Sequence, residues 1–284
     1  MRQEDLRGAG LMTAAMAGFA VEDLFIKKAS AHLPPGQILL TMGLCGLLFF
    51  ALLSRRAGEP AFPALFRSRG MLIRSVFEIA GRLFYALALA LTPLSSASAI
   101  LQATPLVVIA GAALLFGEKV GWRRWLAVLV GLAGVLVILR PGVEGFSALS
   151  LLAVAGMLGF AGRDLATRAA SRGLSNRQLG TLGFAMLALA GAIILSWTGG
   201  AHLPSAQAAA LVAGATVFGI VGYHTLTGAM RTGAVGAVTP FRYTRLVFAL
   251  ILAALILGER PDTATILGAT LIVLAGIYGL TRRS

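Results

Sequence analysis

The sequence predicts an all-α polytopic membrane protein: ten transmembrane helices in two inverted five-helix repeats. Three observations lead there. Hydrophobic residues make up 58% of the 284-residue chain and charged residues only 12%, with a mean hydropathy of +0.87. A soluble domain carries about 25% charged residues. The apolar residues gather into ten stretches, each of roughly the 20 residues that cross about 30 Å of hydrocarbon as a helix. The chain also states one pattern twice. Met16-Ala17-Gly18-Phe19-Ala20-Val21-Glu22-Asp23-Leu24 returns as Met157-Leu158-Gly159-Phe160-Ala161-Gly162-Arg163-Asp164-Leu165, an offset of 141 (157 less 16). The same offset pairs Gln37 with Gln178, and Gly117-Glu118-Lys119 with Gly258-Glu259-Arg260.

The ten segments run over about 9–30, 36–54, 71–91, 95–116, 122–140, 147–170, 177–197, 206–230, 234–257 and 263–281. A helix satisfies its own backbone hydrogen bonds in lipid, and the period-two alternation of barrel strands is absent. The first segment holds Glu22 and Asp23, which a signal-peptide core excludes, although Ala29-Ser30-Ala31 imitates a cleavage site. Ala57-Gly58-Glu59-Pro60 and Pro63 mark the longest polar loop, and Thr92-Pro93 turns tightly between the third and fourth segments. Pro141-Gly142 divides repeat one (9–141) from repeat two (142–281), and 1–284 reads as a single transmembrane domain. Five spans per repeat is an odd number, so the second copy lies upside down relative to the first. Fifteen Lys and Arg residues, Arg55, Arg56, Lys119 and Arg123 among them, fall in the loops on one side, against Lys27, Lys28, Arg140 and Arg260 on the other. That bias puts both termini in the cytoplasm. Ala127, Gly131 and Gly134 in the fifth segment, and Gly268, Ala275 and Gly276 in the tenth, permit close backbone contact. These two segments read as a scaffold or dimer surface.

Several function classes are excluded. The net charge of +13 comes from basic residues in short loops between apolar runs, which suits loop retention in the cytoplasm and not nucleic acid. Cys45 alone forms no internal disulfide, and His32, His202 and His224 make no zinc spacing. No hydrolase, nucleotide-hydrolysing or dinucleotide motif stands in a usable context. Neither an enzyme nor a primary pump is expected, and no cofactor or metal. The expected partners are a small-molecule substrate and the lipid bilayer, with the chain as a monomer or homodimer.

Ionisable side chains inside a membrane cost about 2.5–3.5 kcal/mol each. Those present need a partner, a watery cavity or a function. In the third segment Arg74, Phe77, Glu78, Gly81, Arg82 and Tyr85 recur at three- and four-residue steps and share one stripe. Glu78 and Arg82 can pair along the helix. They can also form a cavity wall for a zwitterion, with a cation for its carboxylate and an acid or aromatic face for its ammonium. Gln102, beside Thr104 and Pro105, is a neutral polar candidate in the fourth segment. Tyr223 and His224 lie in the eighth; His224 is either bonded to a nearby carbonyl or a proton relay. Arg242 and Tyr243 follow Pro240, which frees backbone carbonyls toward a cavity. Glu22, Asp23, Arg163 and Asp164 occupy matched places in the first and sixth segments. Three readings stand for them: gating or proton coupling; buried salt bridges of Asp23 or Asp164 with an arginine such as Arg163 or Arg245; or plain helix-end anchoring, since Lys27 and Arg168 follow the two Asp-Leu pairs four residues on from the Asp.

The stretch Gly117-Glu118-Lys119, followed by 122–139 with Gly131-Leu132-Ala133-Gly134, resembles the end of an EamA repeat. So does Pro240-Phe241-Arg242-Tyr243-Thr244-Arg245 through Gly258-Glu259-Arg260-Pro261-Asp262 to Gly268, Ala275 and Gly276. Over nearly its whole length the chain is similar to the drug/metabolite transporter superfamily, EamA type. The resemblance implies ten helices, inverted repeats and secondary transport of small metabolites; members include amino-acid exporters and carriers of nucleotide derivatives. The expectation is an inner-membrane exporter of amino acids working by alternating access. Segments three, four, eight and nine would line its cavity, and segments one and six would help to gate it. Substrate contacts are expected from Glu78, Arg82, Tyr85, Gln102, Tyr223, His224, Arg242 and Tyr243. Gating or coupling is expected from Glu22, Asp23, Arg163 and Asp164. The alternative is a carrier or exchanger of a nucleotide-like or sulfonium metabolite, because arginines and tyrosines also suit a phosphate or an adenine ring. A membrane-embedded enzyme or a non-transporting receptor finds no support in the sequence.

Overall fold

The computed structural model describes residues 3–117, 121–140, 147–169, 173–230, 232 and 238–281. Glu118, Lys119, Pro141, Gly142, Arg2, Arg172, Arg231, Arg282 and Arg283 lie outside the described residues, as do the side chains of Arg124 and Arg168. The helices are α1 (Gln3–Ala29), α2 (Pro35–Arg56), α3 (Arg69–Leu91), α4 (Leu94–Leu101), α5 (Thr104–Phe116), α6 (Trp122–Leu139), α7 (Ser150–Ala169), α8 (Asn176–Thr198), α9 (Ala206–Ala229), α10 (Thr244–Ile256) and α11 (Thr263–Thr281). Two 3-10 turns, Ala64–Arg67 and Thr239–Tyr243, complete them. Helices α4 and α5 together make the fourth span, Leu94–Phe116, which reaches a mean hydropathy of 2.1 over 18 of its residues. The second 3-10 turn and α10 make the ninth. The result is the expected ten-span, two-repeat helical architecture.

The fourth span differs from the unbroken helix that the sequence predicts over 95–116. It turns at Gln102 and Ala103, whose amides bond to Ala99 O and Ile100 O in tight i→i−3 fashion (3.2 and 3.1 Å). Pro105 supplies no N–H to the next turn of helix, and the Thr104 hydroxyl donates to Leu101 O at 2.6 Å. In the ninth span the 3-10 turn carries Pro240 in its first turn. The two breaks are equivalent in the repeat, since Gln102 and Tyr243 are 141 apart. Each span ends on a glycine with positive φ, Gly117 at 65° and Gly258 at 67°. This left-handed terminus is cheap only for glycine, which explains one half of the repeated Gly-Glu junction. Glu259 explains the other half: its carboxylate accepts from Leu94 N (2.8 Å), Ser95 N (3.1 Å) and Ser95 Oγ (2.8 Å), capping α4.

The most extensive helix contacts all run between the repeats: α2 on α8, α3 on α7, α1 on α9 and α6 on α11. The pairs α3·α7 and α1·α9 exchange under the 141-residue offset, while α2·α8 and α6·α11 map onto themselves. That is the contact pattern of a pseudo-two-fold axis relating inverted repeats. The matched glutamines obey it as well. Gln37 at the start of α2 donates to His202 O in the loop after α8 (2.6 Å), and Gln178 at the start of α8 donates to Pro60 O in the loop after α2 (3.0 Å). Helices α6 and α11 meet backbone to backbone: a Cβ on Gly134 would lie 2.8 Å from Gly268 O. They form a scaffold away from the centre. Trp122 and Trp197, with Leu114 and Leu255, lie exposed on the outer surface, as lipid-facing residues do.

Candidate functional site

Between the repeats lies a cavity that eight of the ten spans line and the scaffold pair α6·α11 does not. Its polar residues come from α1 (Glu22, Asp23), α3 (Arg82, Tyr85), the break of the fourth span (Gln102, Thr104), α7 (Arg163), α9 (Tyr223) and the start of the ninth span (Arg242, Tyr243, Arg245). Met16, Ile26, Leu39, Leu101 and Leu187 give it apolar walls. Helix spacing explains the convergence. The stripe on α3 turns Arg82 and Tyr85 inward, and the two mid-span breaks bring backbone and side chains of both repeats to one depth. Gln102 ties the breaks together by donating to Arg242 O at 3.0 Å.

Two networks of charge flank the cavity. On one side Asp23, only 2% exposed, accepts from Arg245 Nη2 (2.7 Å), Arg245 Nε (3.2 Å) and Tyr85 Oη (3.1 Å). The Arg245 guanidinium also lies over the Phe19 ring, 5.3 Å from its centroid. On the other side Glu78, 1% exposed, faces three arginines: Arg74 at 2.9 Å, Arg163 at 3.3 Å and Arg82 at 3.6 Å. Arg163 further donates to its neighbour Asp164 (2.8 Å from Nη2, 3.0 Å from Nε) and lies 5.0 Å over the Phe160 ring. Asp164 is 4.0 Å from Arg242. Phe19 and Phe160 are the repeated phenylalanines of the duplicated motif, and each carries an arginine on its face, a favourable quadrupole contact. Taking one partner from such a buried pair costs about 3–5 kcal/mol, so both networks hold the cavity wall in shape.

The structure sorts the expected residues. Arg82, Tyr85, Gln102, Tyr223, Arg242 and Tyr243 line the cavity. So do Glu22, Asp23 and Arg163, which the sequence assigned to gating; the first and seventh helices are walls as much as the third and ninth. Glu78 stands behind the wall, committed to its arginines. Asp164 also stands off the cavity lining, as counter-ion to Arg163. His224 is exposed on the far face of α9; it follows Tyr223 by one residue, and about 100° of helix rotation separates neighbours. Sequence reasoning named Arg245 only as an ion-pair partner for Asp23 or Asp164 and gave the two phenylalanines no role. Their signal was there: Arg245 is one turn from Arg242, and Phe19 and Phe160 sit inside the repeated motif itself.

A scan of family models matches the EamA-like transporter family twice, over residues 6–140 and 148–282. The chain is 32% identical to the pseudopaline exporter CntI of Pseudomonas aeruginosa, over 96% of each chain. It is 28% identical to a riboflavin transporter of Rhizobium johnstonii over 73% of this chain and 68% of that one. It is 26% identical to an S-adenosylmethionine uptake transporter of Rickettsia prowazekii over 72% and 69%. A solved crystal structure superposes with a TM-score of 0.63 at 20% identity, covering 94% of this chain and 97% of its own, and so shares the fold. A double family match in register with the duplicated motif leaves one assignment: the chain belongs to the EamA-like transporter family and is a small-molecule transporter of the drug/metabolite type, not an enzyme.

Proposed function

We propose that the protein is a secondary exporter of amino acids or closely related amino-acid-derived metabolites in the inner membrane, with both termini cytoplasmic. The observation that carries this reading is the cavity between the inverted repeats, where arginines and acids stand among apolar and aromatic walls. Charges of both signs suit a ligand with a carboxylate and an ammonium group, and the apolar walls suit its side chain. Kinship with an exporter over 96% of both chains favours the outward direction. One chain encloses the whole cavity, so a monomer suffices as the transporting unit, alone or within a homodimer. Rocking of the repeats about their pseudo-two-fold axis, with α6·α11 as scaffold, exposes the site to each side in turn.

The test is transport in proteoliposomes loaded with the twenty amino acids one at a time. Efflux of at least one of them above protein-free vesicles, abolished by Asp23→Asn combined with Arg245→Gln, is the expected result. Efflux of none, with transport of a riboflavin or S-adenosylmethionine probe instead, contradicts the amino-acid reading and favours a nucleotide-like or sulfonium cargo. Two relatives named for those cargoes keep that second reading in view.

A further inference from the structure

The two interfaces that exchange under the pseudo-two-fold axis carry different charges. At α3·α7 stand Arg74, Glu78, Arg82 and Arg163. Adding or subtracting 141 turns these into Ala215, Gly219, Tyr223 and Glu22. The contact of Arg163 with Glu78 is therefore mirrored by a contact of Glu22 with a bare glycine. A Cβ built on Gly219 would lie 2.8 Å from Glu22 Oε1, so the carboxylate rests against that glycine. Glu22 is 4% exposed and lines the cavity. Among the described residues it has no hydrogen bond and no ion pair within 4.0 Å. The charges that act on it are Arg82, Asp23 and Arg245, and the last two are bonded to each other.

Arg82 is the complementary case. Glu78 is held closer by Arg74 and Arg163, and only Arg82 Nε approaches it, at 3.6 Å. Its terminal nitrogens have no hydrogen-bond partner among the described residues, and the residue lines the cavity. A buried charge without a counter-ion is costly; Glu22 is such an acid, and Arg82 spends only its Nε on Glu78 and leaves its terminal nitrogens to the cavity.

We propose that Glu22 and Arg82 are the two poles of a zwitterion subsite: Glu22 receives the substrate's ammonium group and the terminal nitrogens of Arg82 its carboxylate. This rests on the amino-acid reading above and deepens it. The probes are phenylalanine, 3-phenylpropionate (no ammonium) and phenethylamine (no carboxylate), with leucine, 4-methylpentanoate and isoamylamine as a second series. Their affinities are measured by calorimetry on the purified full chain. Each charge-assisted contact is expected to contribute about ten-fold in affinity or more. Wild type then binds the better of the two amino acids at least about ten-fold tighter than either single-charge analogue. Glu22→Gln removes the advantage over the acid while leaving the acid's own affinity unchanged; Arg82→Gln removes the advantage over the amine. Glu22→Asp retains zwitterion preference, which guards against a folding defect in the amide variant. A Glu22→Gln protein that still prefers the amino acid ten-fold overturns the subsite, and the exporter reading survives if its efflux assay succeeds. Wild type that binds none of the six probes and shows efflux of none of the twenty amino acids overturns both.

Discussion

The α3·α7 and α1·α9 interfaces are built by the same duplicated sequence and do opposite things with charge. At α3·α7 one buried acid serves three arginines. At α1·α9 the corresponding acid position is Gly219, and the corresponding arginine is an acid, Glu22, that faces the cavity. The first interface holds its acid, Glu78, behind the wall among arginines and turns Arg82 and Arg163 to the cavity. The second keeps a charge in reserve for a ligand. The backbone approach differs too. A Cβ on Gly159 would lie 2.4 Å from Gly81 N, whereas one on the equivalent Gly18 would lie 3.3 Å from Gly222 Cα. An inverted repeat thus supplies a symmetric frame, and a few substitutions give its two halves distinct tasks.

That contrast can be broken in order of expected effect. Glu78→Gln leaves the buried Arg74 without its acid, strips the nearest acid from Arg82, and leaves Arg163 with Asp164 alone; it is expected to cost about 3–5 kcal/mol in unfolding stability in detergent. Glu22→Gln, which strands no partner, is expected to change stability by less than about 0.5 kcal/mol. Equal losses in the two variants would erase the distinction. Gly159→Ala forces overpacking at the tighter crossing and is expected to cost about 1–3 kcal/mol, read as a lowered melting temperature. Gly18→Ala meets a tight contact that a shift of a few tenths of an ångström relieves, and should cost clearly less. Asp262 lies outside both interfaces and caps α11 by accepting from Thr265 N at 2.8 Å. Asp262→Ala is expected to cost about 1 kcal/mol. The Thr265 backbone N–H, aided by the Arg140 guanidinium, holds its carboxyl below the ordinary value. Its contribution is therefore full above about pH 3.9 and lost as pH falls through the depressed folded value; a pH series of melting curves with and without Asp262→Asn checks the sign. His224→Ala, on the far face of α9, is expected to leave transport rates unchanged.

The sequence made the frame legible because duplication and hydropathy are properties of order along the chain. The offset that pairs Gln37 with Gln178 reappears as two matching loop tethers, and Pro105 and Pro240 mark the two spans that break. Partner choice was less legible. Spacing on one helix suggested Glu78 with Arg82, but the closer partners are Arg74 and Arg163, the second 85 residues away in sequence. Asp23 pairs with Arg245 across 222 residues; the sequence offered Arg163 and Arg245 alike, and helical periodicity carries no information with which to choose between helices. His224 and Tyr223 are neighbours in sequence, yet about 100° of helix rotation sets Tyr223 on the cavity and His224 on the exposed surface, so polarity within a span does not choose between cavity and lipid. The sequence grouped Glu22 with Asp23, Arg163 and Asp164 for gating or coupling; only the glycine at 219, where the other repeat has Glu78, sets it apart.

The most direct measurement compares accessibility of Glu22 with that of His224. In a Cys45→Ser background, which removes the one native cysteine, Glu22→Cys and His224→Cys are reacted in membranes with a charged, water-soluble methanethiosulfonate. A hydrated cavity between the repeats requires rapid modification of Glu22→Cys, slowed by a transported amino acid, and little modification of His224→Cys. Rapid reaction at position 224 with an inert position 22 would place water on the wrong side of α9 and contradict the cavity.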